Sequence, residues 1–260
     1  MTDETRGPYQ NVFIQEIEQT NVLINTILKS LAEIDLANKG ELTMSEEMET
    51  LMNEIFMNKV PTKWMKVSFE TTRGLGSWLD NIKHRLEQLN AWKETPDKEP
   101  QVTFINRLYN PTSFLTAIKQ TLSREKSLEL NRLYIQTEIQ KKMYWETAEL
   151  QKREGAFVFG LQVEGARWDS NASLEESEPK KQFSVVPVVL CRAVMISDKE
   201  DKGIYQCPVY KTETRGKTFV FTAQLKTKHP PLKWCLAGVA IILDVEGVSD
   251  AFQIGKEPPQ

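Results

Sequence analysis

The chain has 260 residues, with 33 lysine and arginine residues against 36 aspartate and glutamate residues, so its formal net charge is −3. Hydrophobic residues make up 40% and charged residues 27%, which is typical of a globular protein and excludes a disordered or collagenous polypeptide. This balance of charge argues against binding to a nucleic-acid backbone, and no apolar run approaches the roughly 20 residues of a membrane span.

The first half of the sequence has the period of amphipathic helices. The first helix is predicted to start near Pro8 and to stop near Gly40. Its apolar face repeats every three or four residues, and Val12, Leu23 and Leu28 widen it enough to contact more than one neighbour, which favours an intramolecular bundle over a coiled coil. This face consists of Phe13, Ile17, Thr20, Ile24, Ile27, Leu31 and Ile34.

Three more helices are predicted before residue 127. A capping box at residues 43–46 is expected to start the second helix, which Val60 and Pro61 would end. A third helix is predicted after Gly74 and Gly76, and a fourth has Asn110 as its N-cap and Pro111 as its first residue. Residues 1–127 are therefore predicted to form a helical subdomain.

Alternating apolar and polar residues, typical of strands, follow residue 128. About six strands are predicted, at residues 133–139, 157–163, 185–195, 204–210, 218–225 and 234–245. Because no helical pattern separates them, we expect an antiparallel β-barrel or sandwich over residues 128–247. Residues 170–181 are expected to form a mobile polar loop, and residues 248–260 a disordered tail. The predicted fold class is α+β, with a helical subdomain followed by an antiparallel β-barrel.

The three cysteines, at positions 191, 207 and 235, are odd in number and widely spaced. They form neither a disulfide framework nor a metal knuckle, and we expect small buried side chains in a protein from a reducing compartment. The two histidines, His84 and His229, lie in a helical pattern and before a proline pair. We predict no metal site and no catalytic triad from these residues.

The segment Gly216-Lys217-Thr218 resembles the end of a phosphate-binding loop. Such a loop also needs a glycine five residues earlier, where this sequence has Lys211, and a helix after it. Because two predicted strands flank the segment, we interpret it as a hairpin turn.

Residues 165–169 follow a predicted strand. Here Arg167 and Asp169 are expected to hydrogen-bond across a turn while Trp168 caps the barrel. The functional alternative is that Arg167 binds an anion from a partner. The sequence contains no known nucleophile, metalloprotease or paired-carboxylate motif. From the residues alone we predict a cytosolic α+β interaction module with no catalytic, cofactor-binding or metal-ligating residues.

Six segments in order nevertheless resemble the C-terminal region of dynein heavy chains. The resemblance covers about residues 7–245 and is closest to axonemal heavy chains, in particular the outer-arm type. The segments are GPYQNVFIQE with KGELT, VPTKW, YNPTSFLTAI, GLQVEGARWD, YQCPVYKT and KWCLAGVA. Within them the family motif falls on Asn110, Pro111, Gly165, Arg167, Trp168, Asp169, Cys207, Pro208 and Trp234.

The resemblance implies a non-catalytic domain with a helical part and a β-barrel that braces and regulates a ring of AAA+ modules. That ring would hydrolyse ATP with Mg²⁺ elsewhere in the same heavy chain, so no cofactor is expected in this part. The implied motor is minus-end-directed and drives ciliary or flagellar beating. The implied partners are the AAA+ modules, other dynein chains and microtubules, with no nucleic acid and no membrane, in the cytoplasm and the axonemal cytoskeleton.

Two alternatives remain from the residues. The first is a free-standing cytosolic β-barrel that acts as a carrier or an interaction module; a carrier would show a large internal cavity. A hydrolase or nucleotide-binding protein would need Lys217 and Thr218 to face a phosphate.

Overall fold

Helices occupy most of the first half of the chain, and strands most of the second half. The computed structural model describes residues 6–144, 146, 154–198 and 203–245. Its helices are α1 (Pro8–Asn38), α2 (Glu46–Phe56), α3 (Thr62–Met65), α4 (Leu75–Trp92), α5 (Pro111–Lys126) and α6 (Pro231–Leu236). The predicted α+β class is confirmed.

Eleven strands form three sheets within the described residues. The strands are β1 (Thr103–Phe104), β2 (Leu133–Ile139), β3 (Ala156–Phe159), β4 (Gln162–Glu164), β5 (Ala166–Trp168), β6 (Leu174–Glu176), β7 (Phe183–Val185), β8 (Val189–Met195), β9 (Ile204–Thr212), β10 (Phe219–Lys226) and β11 (Ala240–Asp244). One sheet has the order β1-β3-β8-β2, the second β10-β9-β11-β4-β7, and β5 and β6 form a hairpin.

The predicted antiparallel barrel of about six strands is therefore corrected in two respects. Two pairs, β1 with β3 and β11 with β9, are parallel. Among the described strands, none of the three sheets closes on itself. The edges of β2 and β10 lie side by side, but side chains join them in place of a backbone ladder: the Gln224 amide oxygen accepts from the Thr137 N–H at 2.8 Å, and the Thr137 hydroxyl accepts from the Gln224 N–H at 2.6 Å.

The first helix has the predicted limits, while the second starts differently. Gly40 follows α1 with φ of 78°, a conformation that favours glycine and ends the helix. The predicted capping box at residues 43–46 is wrong because Ser45 is the N-cap of α2, and its hydroxyl accepts from the Met48 N–H at 3.3 Å. The helix also ends before Val60 and Pro61, since the left-handed Asn58 turns the chain.

Several strand predictions are corrected by glycine and proline positions. The predicted strand 157–163 is divided into β3 and β4 at Gly160, which has φ of 87°. The predicted strand 185–195 is divided into β7 and β8 around Pro187. Residues 170–181, predicted as a mobile loop, contain β6. The predicted last strand begins only at Ala240, because Trp234 lies in α6. The tail 248–260 lies outside the described residues.

The largest core cluster is shared by helices and sheets. It contains buried residues of α1, α4 and α5 together with both large sheets, for example Phe13, Phe114, Val163 and Ile241. A second cluster joins the middle of α1 to α2, α3 and α4. At its centre Leu23 is fully buried. The division at residues 127 and 128 stays a prediction. Among the described residues, none of the helices is long and apolar enough to cross a lipid bilayer.

Candidate functional site

The segment around Lys217 is a hairpin connection. Residues Gly216–Thr218 form a single 3₁₀ turn between β9 and β10, as the hairpin prediction requires. The Thr218 hydroxyl donates to the Arg215 carbonyl at 3.0 Å, and both Arg215 and Gly216 have positive φ. The turn leads into a strand, so no helix N-terminus faces the position that a phosphate would occupy. The geometry fits a structural turn.

A buried carboxylate holds the loop that precedes α5. Asn110 is the N-cap of α5, and its side-chain oxygen accepts from the Ser113 N–H at 3.3 Å, while Pro111 is the first helical residue. The Glu16 carboxylate of α1 accepts from the backbone N–H groups of Tyr109 and Asn110 at 2.7 and 2.9 Å. Glu16 is only 2% exposed, so this charge joins two helices that are far apart in the sequence.

A buried guanidinium lies near this carboxylate. Arg85 of α4 donates from Nε to the Asn81 side chain at 2.7 Å and from Nη2 to the Asn106 carbonyl at 2.9 Å. Its guanidinium carbon lies 3.6 Å from the centroid of the Phe69 ring, which is a cation–π arrangement. Burial lowers the pKa of Arg85 to about 10, although the charge of Glu16 opposes that change. Arg85 therefore stays protonated near neutral pH.

The electrostatics of Glu16 reflect two opposing effects. Burial raises its pKa above the usual value, while the N–H groups of Tyr109 and Asn110 and the positive charge of Arg85 act to lower it. A carboxylate with two backbone donors has both oxygens occupied. This arrangement fixes the position of α1 relative to the start of α5.

A second buried ion pair joins the helices to the second half of the chain. Arg73, just before α4, donates from Nε to the Asp244 carboxylate at 2.6 Å and from Nη2 to the Val245 carbonyl at 2.9 Å. Its Nη1 donates to the Ser77 hydroxyl at 3.1 Å. Both side chains are buried, and Asp244 is the last residue of β11. This contact therefore attaches the start of α4 to the end of the last described strand.

Trp234 anchors α6 against the sheet. Its indole is 1% exposed, and its Nε1 donates to the Thr227 hydroxyl at 2.7 Å. The His229 ring packs edge-on against it, with 5.8 Å between the ring centroids. A buried indole with a satisfied N–H is a packing residue.

Two of the three cysteines behave as small apolar residues. Cys191 of β8 and Cys207 of β9 are buried, and burial raises the pKa of both thiols. Pro208 continues β9 beside Cys207, opposite Thr222 of β10. Cys235 is exposed on α6, so the expectation of burial is wrong for this residue because its side of the short helix faces solvent.

The expected pairing of Arg167 with Asp169 is wrong. Gly165, with φ of 76°, turns the chain from β4 into β5. From β5, the Arg167 guanidinium reaches Glu175 at 3.2 Å and Glu178 at 3.1 Å, and its Nε donates to the Glu176 carbonyl. Alternation along a strand places residues 167 and 169 on a common side, but the acidic strand opposite supplies the partners of Arg167. It is thus an internal partner of the hairpin.

Asp169 instead organises the turn between β5 and β6. One oxygen accepts from the N–H groups of Asn171 and Ser173, both at 2.8 Å, and the other lies 2.6 Å from the Lys228 ammonium. The Lys228 contact and the backbone donors lower the pKa of Asp169 to about 2. Trp168 is half-buried and packs against the main core; its expected role as the cap of a barrel stays a prediction, because the described sheets do not close into one.

A cleft of about 670 Å³ opens between the start of α1, the middle of α5 and the start of β3. It lies at the junction of helices and strands. The space between the two large sheets is filled by side chains of the main core, such as Leu161, Val209 and Ile241. A carrier with a ligand inside its β-barrel would require that space to be open. Within the described residues, no cluster of three histidine, cysteine or acidic side chains is arranged to hold a metal ion.

This sequence is similar to known proteins over most of its length. The family model for the C-terminal domain of the dynein heavy chain matches residues 1–243. This chain belongs to that family. It is 43% identical over 94% of its length to the dynein beta chain of the flagellar outer arm of Chlamydomonas reinhardtii. It is also 40% identical over 93% of its length to the ciliary dynein beta chain of Tripneustes gratilla, and 39% identical over 93% to human dynein axonemal heavy chain 9.

The chain spans only about 5% of the length of these dynein relatives. In this dynein C-terminal domain, the motif residues are distributed over three structural positions: the start of α5, the β5–β6 hairpin, and the region of β9 and α6. They do not converge on one pocket. The motif residues predicted from the sequence therefore cap, turn and pack this dynein domain.

Four charged residues that form the buried contacts were not predicted from the sequence, namely Glu16, Arg73, Arg85 and Asp244. A signal existed for two of them. Glu16 falls three residues after Phe13 and four before Thr20, on the apolar face of α1, and Arg85 lies at the same helical spacing between apolar residues of α4. A charge on a buried helix face requires a partner. For Arg73 and Asp244, which are separated by 171 residues, the sequence offered no such pattern.

Proposed function

We propose that this chain is the non-catalytic C-terminal domain of an axonemal dynein heavy chain and that it braces and regulates the AAA+ ring of that motor. The motor would be driven by ATP, move toward microtubule minus ends and power ciliary or flagellar beating. The partners would be the AAA+ modules of the same heavy chain, with other dynein chains and microtubules in the assembled axoneme. ATP and Mg²⁺ would bind in the ring and not in this domain.

The observation that carries this proposal is the pair of buried ionic contacts between elements that are distant in sequence. Glu16 ties α1 to the start of α5, and the ion pair of Arg73 with Asp244 ties α4 to β11. Breaking a buried ion pair by removing one partner costs about 3–5 kcal/mol. These contacts fix α1 against the start of α5 and the start of α4 against β11, which supports a bracing role.

An exposed apolar face on α1 offers a contact surface for such a module. Leu28 and Leu31 are 60% and 41% exposed, and their spacing places them on one face of the helix. At the end of α2, Phe56 and Met57 are also exposed. A surface of this type is commonly covered by another protein surface. Contact with two ring conformations of different geometry would change their relative free energies and so change stepping or force.

The first test is made in the intact heavy chain. We expect Leu28→Ser combined with Leu31→Ser to change the velocity and stall force measured for single motors, because the face that contacts the ring is lost. Val22→Ser is the matched control, since Val22 is also exposed on α1 but points to another side. The bracing role is wrong if deletion of the whole domain leaves stepping and force unchanged.

The second test concerns ATP and uses the 260-residue chain. We expect calorimetry with Mg·ATP to show no saturable binding, and Lys217→Ala to give the same result as the unmodified chain. Micromolar binding that Lys217→Ala abolishes would instead support a nucleotide-binding protein.

A further inference from the structure

The cleft between α1, α5 and β3 has an apolar floor. Ile118 and Leu122 of α5 and Ala193 of β8 contribute to it, together with Tyr9 at the start of α1 and Ala156 of β3. Its volume of about 670 Å³ lies within the range of about 300–1,000 Å³ that is usual for ligand sites. An apolar floor of this size can bury two or three side chains of a partner.

The rim of the cleft carries an excess of negative charge. Glu99, Glu125 and Glu154 line it, against Lys98 as the lining cation. The Lys126 ammonium lies 2.9 Å from the Glu154 carboxylate. Among the described residues, Glu99 and Glu125 lie in no ion pair with a basic side chain. Two carboxylates on one rim beside an apolar floor are complementary to a ligand that has both positive charge and apolar groups.

The start of β3 forms one wall of the cleft, where Gly155, Ala156 and Phe157 line it. On one flank β8 pairs with Ala156, Phe157 and Val158, and on the other flank the register of β1 covers Val158 and Phe159. Ala156 is only 1% exposed, so β3 contributes a wall of the cleft and not a free strand edge. The affinity of a ligand at this site would come from the apolar floor and the charged rim.

We propose that this cleft binds a peptide segment of a partner protein, in which lysine or arginine alternates with apolar residues. The apolar side chains would lie on the floor formed by Tyr9, Ile118 and Leu122. The basic side chains would contact Glu99 and Glu125 on the rim. This site is separate from the face of α1 that carries Leu28 and Leu31, so it does not depend on contact with the motor ring.

The test uses short acetylated peptides and the 260-residue chain. The probe alternates valine with lysine, and matched peptides have glutamate or serine in place of lysine. We expect saturable binding of the lysine peptide by calorimetry, with NMR shifts concentrated at the amides of Gly155, Ala156 and Phe157. The serine peptide should bind more weakly and the glutamate peptide not at all. The proposal is overturned if the lysine peptide does not bind, or if all three peptides bind equally.

Two variants locate the binding. Glu99→Gln with Glu125→Gln should weaken binding of the lysine peptide roughly tenfold, which corresponds to about 0.7 kcal/mol for each of two exposed ion pairs and lies within their usual range. Glu18→Gln with Glu41→Gln is the control, because these exposed carboxylates lie outside the cleft. Ala193→Phe should block the floor, with circular dichroism to check the fold. Unchanged affinity in the first variant would show that the peptide binds elsewhere.

Discussion

Replacement of Glu16 by glutamine removes one of the two acceptors that the buried carboxylate offers to the loop before α5. Its two oxygens accept from the N–H groups of Tyr109 and Asn110 at 2.7 and 2.9 Å. Glutamine has one oxygen, and its amide nitrogen is a donor, so one N–H must lose its partner. A buried group left without a partner costs about 1–3 kcal/mol.

Two smaller effects act in opposite directions in this variant. The negative charge that favours the buried Arg85 guanidinium is lost, whereas the neutral amide avoids the cost of burying a carboxylate, the cost that raises the pKa of Glu16. We therefore expect Glu16→Gln to lower the free energy of unfolding by about 2 kcal/mol. For a protein of this size the urea slope is about 3 kcal/mol per molar, so the unfolding midpoint should fall by roughly 0.7 M.

Equilibrium unfolding in urea at pH 7, followed by circular dichroism and tryptophan fluorescence, measures this change. Glu18→Gln is the matched control, since Glu18 is exposed on the same helix and should change stability by less than about 0.5 kcal/mol. If Glu16→Gln and Glu18→Gln have the same midpoint, the buried carboxylate does not hold the loop as described.

Three further changes test other parts of the fold. Gly160→Ala should destabilise the protein by about 3 kcal/mol or more, because a Cβ there would lie 2.0 Å from the Asn106 side-chain oxygen and φ is 87°. Gly76→Ala has open space around it and should instead stabilise the protein by about 0.5–1 kcal/mol. Urea unfolding measures both changes. Arg73→Met should cost about 3–5 kcal/mol and recover when combined with Asp244→Leu, as a double-mutant cycle would show. The folded-state pKa of Asp169 is lowered to about 2, below its unfolded value of about 4. The contribution of Asp169 to stability is therefore present above about pH 4 and is lost as the pH falls through about 2. The difference in Tm between the unmodified protein and Asp169→Asn should shrink over that range.

A specific result would contradict each of these three predictions. Equal effects of Gly160→Ala and Gly76→Ala would show that the close approach is relieved without cost. Additive effects of Arg73→Met and Asp244→Leu would mean that the two side chains do not interact. A Tm difference for Asp169→Asn that stays constant from pH 6 to pH 2 would contradict the lowered pKa.

The helices of the first half were predictable because their apolar periodicity is local. Pro8, Gly40, Asn110 and Pro111 mark helix limits by their own backbone preferences. The start of α2 was missed because two hydroxyl residues, at positions 43 and 45, both suit an N-cap, and the sequence alone does not choose between them.

The sheets were less predictable because their pairing is non-local. The pairing of β1 with β3 joins Thr103 to Val158, and a strand of two residues has no period to detect. At Trp234 a short apolar run suits a helix or a strand equally, although Pro231 at the first helical position was a usable sign. The chain reaches the parallel position of β11 beside β9 through a connection that contains α6. Part of that helix was predicted as a strand, so the connection was not recognised.

Of the candidate site, the sequence located motif residues but not the contacts between them. Arg167 was expected to pair with its neighbour Asp169, while its partners lie on β6 and beyond it. The buried charges Glu16 and Arg85 could have been suspected from their places on apolar helix faces. Arg73 and Asp244 meet only because the folded polypeptide returns to the start of α4, and this return is a property of the tertiary structure.

The central position of β11 has a consequence for biogenesis. This strand lies between β9 and β4, yet it comes after every other described strand in the sequence. Until it has emerged from the ribosome, the five-stranded sheet exists only as two fragments whose inner edges are unpaired, and unpaired edges promote aggregation. A premature stop codon shortly before residue 240 would therefore leave this sheet in two fragments, and chaperone dependence of the domain should be greatest just before β11 is translated.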